Sequence, residues 1–280
     1  MQDWYDDHDP WDYYEPEPDE LPQDEAEIDA TEILRGFFEE NCEKVFYSRQ
    51  LYVLHEDDFF HWVTGRAVRN LLEEGHIKTE SRPLKHGGEM HLYWHKSFRY
   101  YKRAARELVS LVNEYANPEF GKLLGYTAEM LVLSGFARSG FTMVSEHKAT
   151  RSYGDLKYTE TEHDLDFIFE RDRRAYGVEV KNTLTYMDSD EFDVKIRMCK
   201  YLGITPIFAA RMLPRTWIHR LNKVGGFALI FKWQLYPLSH KKLADRVHSE
   251  LGIRADAPRA LTDGTMKRFT DWHEKKCEFA

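Results

Sequence analysis

The stretch Leu165-Asp166-Phe167-Ile168-Phe169-Glu170-Arg171-Asp172-Arg173-Arg174-Ala175-Tyr176-Gly177-Val178-Glu179-Val180-Lys181 limits the fold more than any other part of this chain. Two apolar runs of strand length, Leu165–Phe169 and Ala175–Val180, are separated by a charged turn, so the segment is expected to double back on itself as a hairpin. An acid opens the first run and Glu-Val-Lys closes the second. Residues two apart on a strand share a face, so Glu179 and Lys181 point the same way, and a hairpin of this length brings Asp166 beside them.

Two carboxylates and an ammonium at one strand end suit phosphodiester hydrolysis. Asp166 and Glu179, with a backbone carbonyl such as that of Val180, offer hard oxygen ligands to Mg²⁺, for which Mn²⁺ can substitute. The metal counters charge building on the phosphorus, while Lys181 orients water or stabilises the transition state. A lysine between two acids keeps its proton, so it is an electrostatic element rather than a base. Asp164 shares the face of Asp166, and either can be the ligand; Asp166 is favoured because the apolar run starts directly after it.

At these residues the chain resembles the PD-(D/E)XK nuclease superfamily, with its restriction-endonuclease-like and Holliday-junction-resolvase-like core. Upstream, Gly121-Lys122-Leu123-Leu124-Gly125-Tyr126-Thr127-Ala128-Glu129-Met130-Leu131-Val132 is similar to the first helix of that family. The resemblance implies Glu129 as a third metal-binding acid, and it implies cleavage of DNA and a homodimer, since relatives that cut both strands often pair two sites. Leu165 stands where the family's nominal proline precedes the aspartate. Glu-x-Lys also occurs at Glu146-His147-Lys148 and Glu274-Lys275-Lys276, but only the copy at Glu179 ends a hydrophobic strand preceded by an acid-bearing one. Asn182 and Lys195 are read as a strand-end cap and a solvated helix face, with phosphate contact the alternative for each.

The flanking pattern gives an α/β fold with a mixed-sheet core over residues 118–238: helix Phe120–Phe136, a strand near Phe141–Val144, the two strands above, helix Ser189–Leu202, strand Thr205–Ala210, a helix after Pro214, and a strand near Phe227–Phe231. Residues 239–280 read as two amphipathic C-terminal helices.

Residues 1–32 hold 14 Asp or Glu and no Lys or Arg, and they form an acidic leader expected to be disordered. The remaining residues are mildly basic, which suits an anionic partner. Within 33–97 the expectation is a helix over 31–43, a strand at Val45–Leu51, a helix at Glu56–Glu74 ended by Gly75, and a hairpin of His76–Leu84 with Met90–Lys96 around Gly87-Gly88. This order resembles a winged helix-turn-helix domain. Thr64, Gly65, Arg66 and Arg69 are then placed on the solvent face of its recognition helix and Lys85 at the wing, facing DNA. Over 98–117 a basic linker helix presents Arg99, Lys102, Arg103 and Arg106 as a stripe able to neutralise phosphates. His86, His91 and His95 on the hairpin lack a carboxylate or thiolate partner and read as solvent-facing or DNA-facing rather than as metal ligands.

Three scattered cysteines without a CxxC pair argue against a disulfide scaffold or thiolate zinc knuckle and fit a reducing cytoplasm. The longest apolar runs, such as 225–231, fall far short of the about 20 residues of a membrane helix, and no basic, apolar signal opens the chain. Phosphate-loop, His-Glu-x-x-His and Gly-x-Ser-x-Gly motifs are absent. The sequence thus points to a metal-dependent DNA endonuclease docked by a winged helix. Its rivals are a non-catalytic DNA-binding protein that keeps the nuclease fold as scaffold, and a subunit active only within a larger defence or recombination assembly, docked to a protein through the leader or the C-terminal helices.

Overall fold

The structure is a computed structural model and describes residues 25–278. The chain divides into two compact units: residues up to Gly121 with Ser249–Ile253, and Lys122–His248 with the chain from Arg254 onward.

In the first unit, α1 (Glu25–Glu40) buries Ala30, Thr31, Leu34 and Phe38, a three-and-four spacing that lays one face on the core. The expected disordered leader is therefore corrected at its end, because residues 25–32 are helical; the rest of it lies outside the described residues. Helix order there has a polar anchor. Glu27 is buried and accepts hydrogen bonds from Arg66 Nη1 at 3.3 Å and Asn70 Nδ2 at 2.9 Å.

β1 (Val45–Tyr47) is shorter than expected, because α2 (Ser48–Leu54) begins at once. The Gln50 side chain accepts from the Tyr47 amide at 3.3 Å, caps the helix start, and lets Leu51 and Val53 reach the core. The expected helix from Glu56 starts only at His61. Residues 55–60 form turns, closed by the Asp58 and Phe59 amides donating to the His55 carbonyl at 3.1 and 2.9 Å, and α3 spans His61–Glu73. Thr64, expected on the solvent face, is fully buried on α3 beside Val63, Ala67, Val68 and Leu71. β2 (Ile77–Pro83) and β3 (Glu89–His95) form the hairpin, with Gly87 and Gly88 at φ +98° and +74°, and the sheet order is β1-β3-β2. α4 (Lys102–Tyr115) follows.

The second unit contains most of α5 (Pro118–Arg138), then β4 (Thr142–Glu146), a short 3₁₀ turn at His147–Arg151, β5 (Ser152–Tyr153), β6 (Leu156–Lys157), β7 (Phe167–Arg171), β8 (Arg174–Lys181), α6 (Ser189–Leu202), β9 (Thr205–Ala210), α7 (Arg215–Lys223), β10 (Phe227–Ile230), β11 (Gln234–Leu235), α8 (Lys241–Leu251), β12 (Ala255–Asp256) and α9 (Asp263–Glu278). Five strands make one mixed sheet in the order β10-β9-β8-β7-β4. β8, β9 and β10 run parallel, so helices α6 and α7 must cross between them, whereas β7 pairs antiparallel with both β8 and β4.

Alternation along the strands splits the core into two faces. Phe167, Phe169, Tyr176, Val178, Ile207 and Ala209 pack with Phe136 of α5 and Phe269 of α9. On the opposite face Ile168 packs with Met198, Cys199 and Leu202 of α6, and Phe208 with Phe192 of α6 and Leu221 of α7. Gly177 lets α6 lie close to β8, since a Cβ there would meet Cys199 Sγ and Leu165 Cδ1 at 2.7 Å. The fold is α/β with a mixed sheet between helical layers. Among the described residues no helix is long and apolar enough to cross a membrane.

Candidate active site

Strand β8 carries Glu179 and Lys181 onto the α6 face of the sheet. α6 is set firmly there: Asp188 caps its start by accepting from the Asp190 and Glu191 amides, and Gly203 ends it at φ +68°. From its first two turns it directs Glu191 and Lys195 at the same place. Glu179 Oε1 lies 3.2 Å from Lys181 Nζ and Oε2 lies 2.7 Å from Lys195 Nζ, while Lys181 Nζ also donates to Glu191 Oε1 at 3.0 Å. Glu179 and Lys195 are both buried.

Asp166 precedes β7 and accepts from the Val180 amide at 2.6 Å through Oδ2, so the two strands are tied by a carboxylate where the ladder ends. Its own amide donates to the Val178 carbonyl at 3.0 Å. Asp166 also stands with Glu129 of α5 and His147, and one ligand atom from each lies within 4.8 Å of the others. His147 sits at φ +48°, a conformation costly for a side-chain-bearing residue, and its amide donates to the Asp166 carbonyl at 2.9 Å.

The charges are crowded. Burial pushes Asp166 up to about 6, although the Val180 amide pulls the other way and Glu129 adds to the rise. Burial and then the charge of Asp166 push Glu179 up to about 7 against the two lysines. Burial also raises Glu129, with His147 opposing. Burial works against the Lys181 ammonium, but Glu179 and Glu191 outweigh it and tighten its hold on its proton. Four carboxylates, Glu129, Asp166, Glu179 and Glu191, thus face two ammonium groups. A divalent cation carries the two positive charges that would balance them.

No family model, curated protein or solved structure matches this chain.

The sequence-derived residues Glu129, Asp166, Glu179 and Lys181 come together, and Asp166 rather than Asp164 joins Glu129 and His147. Asp164 contributes its backbone carbonyl, which accepts from Lys195 Nζ. Lys195 is corrected from a solvated helix face to a buried partner of Glu179. Asn182 is buried too; its side chain donates to the Leu124 and Leu235 carbonyls at 2.9 and 2.7 Å and accepts from the Leu235 amide at 2.8 Å. Such full use of the amide makes it a brace between β8, α5 and β11 and leaves none of it for phosphate.

Sequence reasoning missed Glu191 and His147 and misplaced Lys195. Lys195 had a signal, because Phe192, Lys195, Cys199 and Leu202 recur on the buried face of one helix, and Glu191 stands one turn before it. His147 had none beyond lying inside a Glu-x-Lys triplet.

The expected DNA-contacting side chains are spread along the first unit. Lys85, Arg99, Lys102, Arg103 and Arg106 are exposed, and Arg103 pairs with Glu107 at 2.9 Å. Arg99 stands in the turn before α4 rather than on the helix, so the helical stripe consists of Lys102, Arg103 and Arg106. Arg66 is half-buried against Glu27, and Arg69 is partly exposed on α3.

Proposed function

We propose that this chain is a metal-dependent DNA endonuclease that hydrolyses phosphodiester bonds. The observation that carries the reading is the meeting of Glu129 from α5, Asp166 just before β7, and Glu179 and Lys181 on β8, with three carboxylates raised chiefly by burial.

The donor set fits a hard divalent cation. Glu129 and Asp166 offer oxygens and His147 a nitrogen, a mixture that suits Mn²⁺ as well as Mg²⁺, with Glu179 adjoining them. When bound, such an ion supplies Lewis-acid charge to a phosphodiester. The rest falls to the chain. Lys181 stays protonated, is aimed by Glu179 and Glu191, and meets negative charge that grows on the phosphate oxygens in the transition state. Lys195 holds Glu179 in place, and the Val180 amide fixes the rotamer of Asp166.

Two further observations support docking on DNA. The order α1-β1-α2-α3-β2-β3 with sheet order β1-β3-β2 supports a winged-helix reading of the first unit. The exposed cations Lys85, Arg99, Lys102, Arg103 and Arg106 supply charges that phosphates can meet. The reading of the second unit as a restriction-endonuclease-like core rests on the acid-bearing antiparallel pair β7–β8 continuing into parallel β9. A homodimer would pair two such sites for cutting both strands. The clamp of two lysines on Glu179 is the one observation favouring the rival, a scaffold without catalysis.

Labelled duplex, branched and single-stranded DNAs incubated with Mg²⁺ or Mn²⁺ separate the two. Wild-type chain should cut at least one, and Asp166→Asn should bind that DNA equally well but not cut it. Binding without cleavage of any substrate by the wild type would leave the scaffold.

A further inference from the structure

At the far end of the same hairpin a second set of metal-ligating side chains converges. Asp172 occupies the β7–β8 turn, and His273 and Cys277 lie four residues apart on α9, so they share one face of that helix. His273 Nε2 lies 2.9 Å from Asp172 Oδ2 and 3.8 Å from Cys277 Sγ, and one ligand atom of each residue lies within 4.8 Å of the others. In a tetrahedral zinc site the bond lengths place neighbouring N, O and S donors about 3.3–3.6 Å apart. The His273–Asp172 spacing of 2.9 Å is shorter than this, the His273–Cys277 spacing of 3.8 Å is longer, and Asp172 and Cys277 lie within 4.8 Å of each other, so binding would draw the three to common bond lengths.

The surroundings fit a metal better than a hydrolytic triad. In a triad the carboxylate and the nucleophile take opposite nitrogens of the imidazole. Here Asp172 and Cys277 both face Nε2. The other nitrogen, Nδ1, is 2.5 Å from Tyr176 Oη, a hydroxyl that can accept from Nδ1–H and so turn the Nε2 lone pair toward the shared point. His273 is fully buried, with its ring 5.0 Å from that of Phe141, so the site has a dry wall. Asp172 reaches it because the turn residues Asp172 and Arg173 adopt φ +52° and +59°, a two-residue hairpin geometry that favours asparagine or glycine. Arg171 Nε lies 3.2 Å from the same Asp172 oxygen and helps to aim it.

We propose that Asp172, His273 and Cys277 bind one transition-metal ion, Zn²⁺ by ligand type, with water as the fourth ligand, clipping α9 to the β7–β8 turn. The Cys277 thiolate selects Zn²⁺ over Mg²⁺, and it, rather than the imidazole that both sites offer, sets this site apart from the carboxylate site. Binding removes the Cys277 thiol proton to solvent and leaves His273 as the Nδ1–H tautomer bonded to Tyr176.

Co²⁺ reports such a site directly, independently of any cleavage. Titration of the reduced full-length chain with Co²⁺ should produce tetrahedral visible bands and a sulfur-to-cobalt charge-transfer band, saturating at one equivalent and displaced by Zn²⁺. The charge-transfer band should persist in Asp166→Ala and disappear in Cys277→Ser. That variant alters a partly exposed thiol, and circular dichroism checks that it is folded. With the carboxylate site disabled, Zn²⁺ should raise the melting temperature of Asp166→Ala but not of folded Asp166→Ala/Cys277→Ser. No charge-transfer band in the wild type, its loss in Asp166→Ala, or its survival in Cys277→Ser would overturn the assignment.

Discussion

Lys195 Nζ lies 2.7 Å from Glu179 Oε2, with both side chains buried, so the carboxylate of the proposed active site is held by a cation on the neighbouring helix. A buried pair is costly to break from one side because the survivor keeps its charge, and Glu179 would have only Lys181 left to meet it. Lys195→Ala should therefore lower stability by about 3 kcal/mol. The double variant Lys195→Met/Glu179→Gln, which removes both charges, should lose clearly less than the two single changes added together. Urea unfolding of the four chains measures this, and strict additivity would show that the two groups do not interact.

Lys181 separates catalysis from scaffolding. Its ammonium is partly exposed and directed by Glu179 and Glu191, so Lys181→Ala should reduce single-turnover cleavage by orders of magnitude with DNA affinity little changed. Lys181→Arg keeps the charge on a wider, planar group and should rescue poorly. If arginine restores full cleavage, charge alone matters at this position.

The raised carboxyls give the metal-free protein an unusual response to pH. Asp166 titrates near 6 and Glu179 near 7 in the folded chain, whereas both return to ordinary carboxylate values near 4 on unfolding. Between about pH 4 and 7 the folded state thus binds more protons, and its stability falls as pH rises through that window. In EDTA the wild type should lose more melting temperature between pH 5 and 8 than Asp166→Asn/Glu179→Gln does. Parallel curves for the two proteins would mean that neither carboxyl is raised.

The exposed cations of α4 should govern salt dependence. Replacing Lys102, Arg103 and Arg106 with glutamine should weaken duplex binding and flatten the plot of log K against log salt by about 0.9 for each phosphate no longer neutralised. Arg66→Gln should mainly lower the melting temperature, because that side chain pairs with buried Glu27. An unchanged slope in the triple variant would point the α4 stripe at something other than DNA.

The sheet was legible in the sequence because its central strands are short apolar runs buried on both faces and bounded by turns. Glu179 and Lys181 were legible because strand parity fixes them on one face. The first unit was read less well at α2 and α3. There the chain turns from β1 into a helix under a cap made by Gln50, and short helices take their stability from tertiary burial more than from propensity. Lys195 was misread because lysine usually marks solvent, although its position among Phe192, Cys199 and Leu202 pointed inward. Asp172 was seen as turn chemistry, since nothing local reveals that a helix a hundred residues later will bring His273 to it.

That last helix sets when the protein can come into being. Phe269 of α9 packs against Phe136, Tyr176 and Phe227, with ring centroids 4.8, 5.6 and 5.5 Å away, so the face of the sheet that α5 covers in part is completed only by residues 263–278. On the ribosome, where domains emerge N-terminal part first, the first unit's α1–β3 region can assemble early while the α5 face of the sheet stays incompletely covered until the chain is almost fully translated. A nascent chain near its own messenger therefore exposes its cations before it has a closed core behind Asp166 and Glu179. The core behind the proposed site is thus completed only in chains that have synthesised α9.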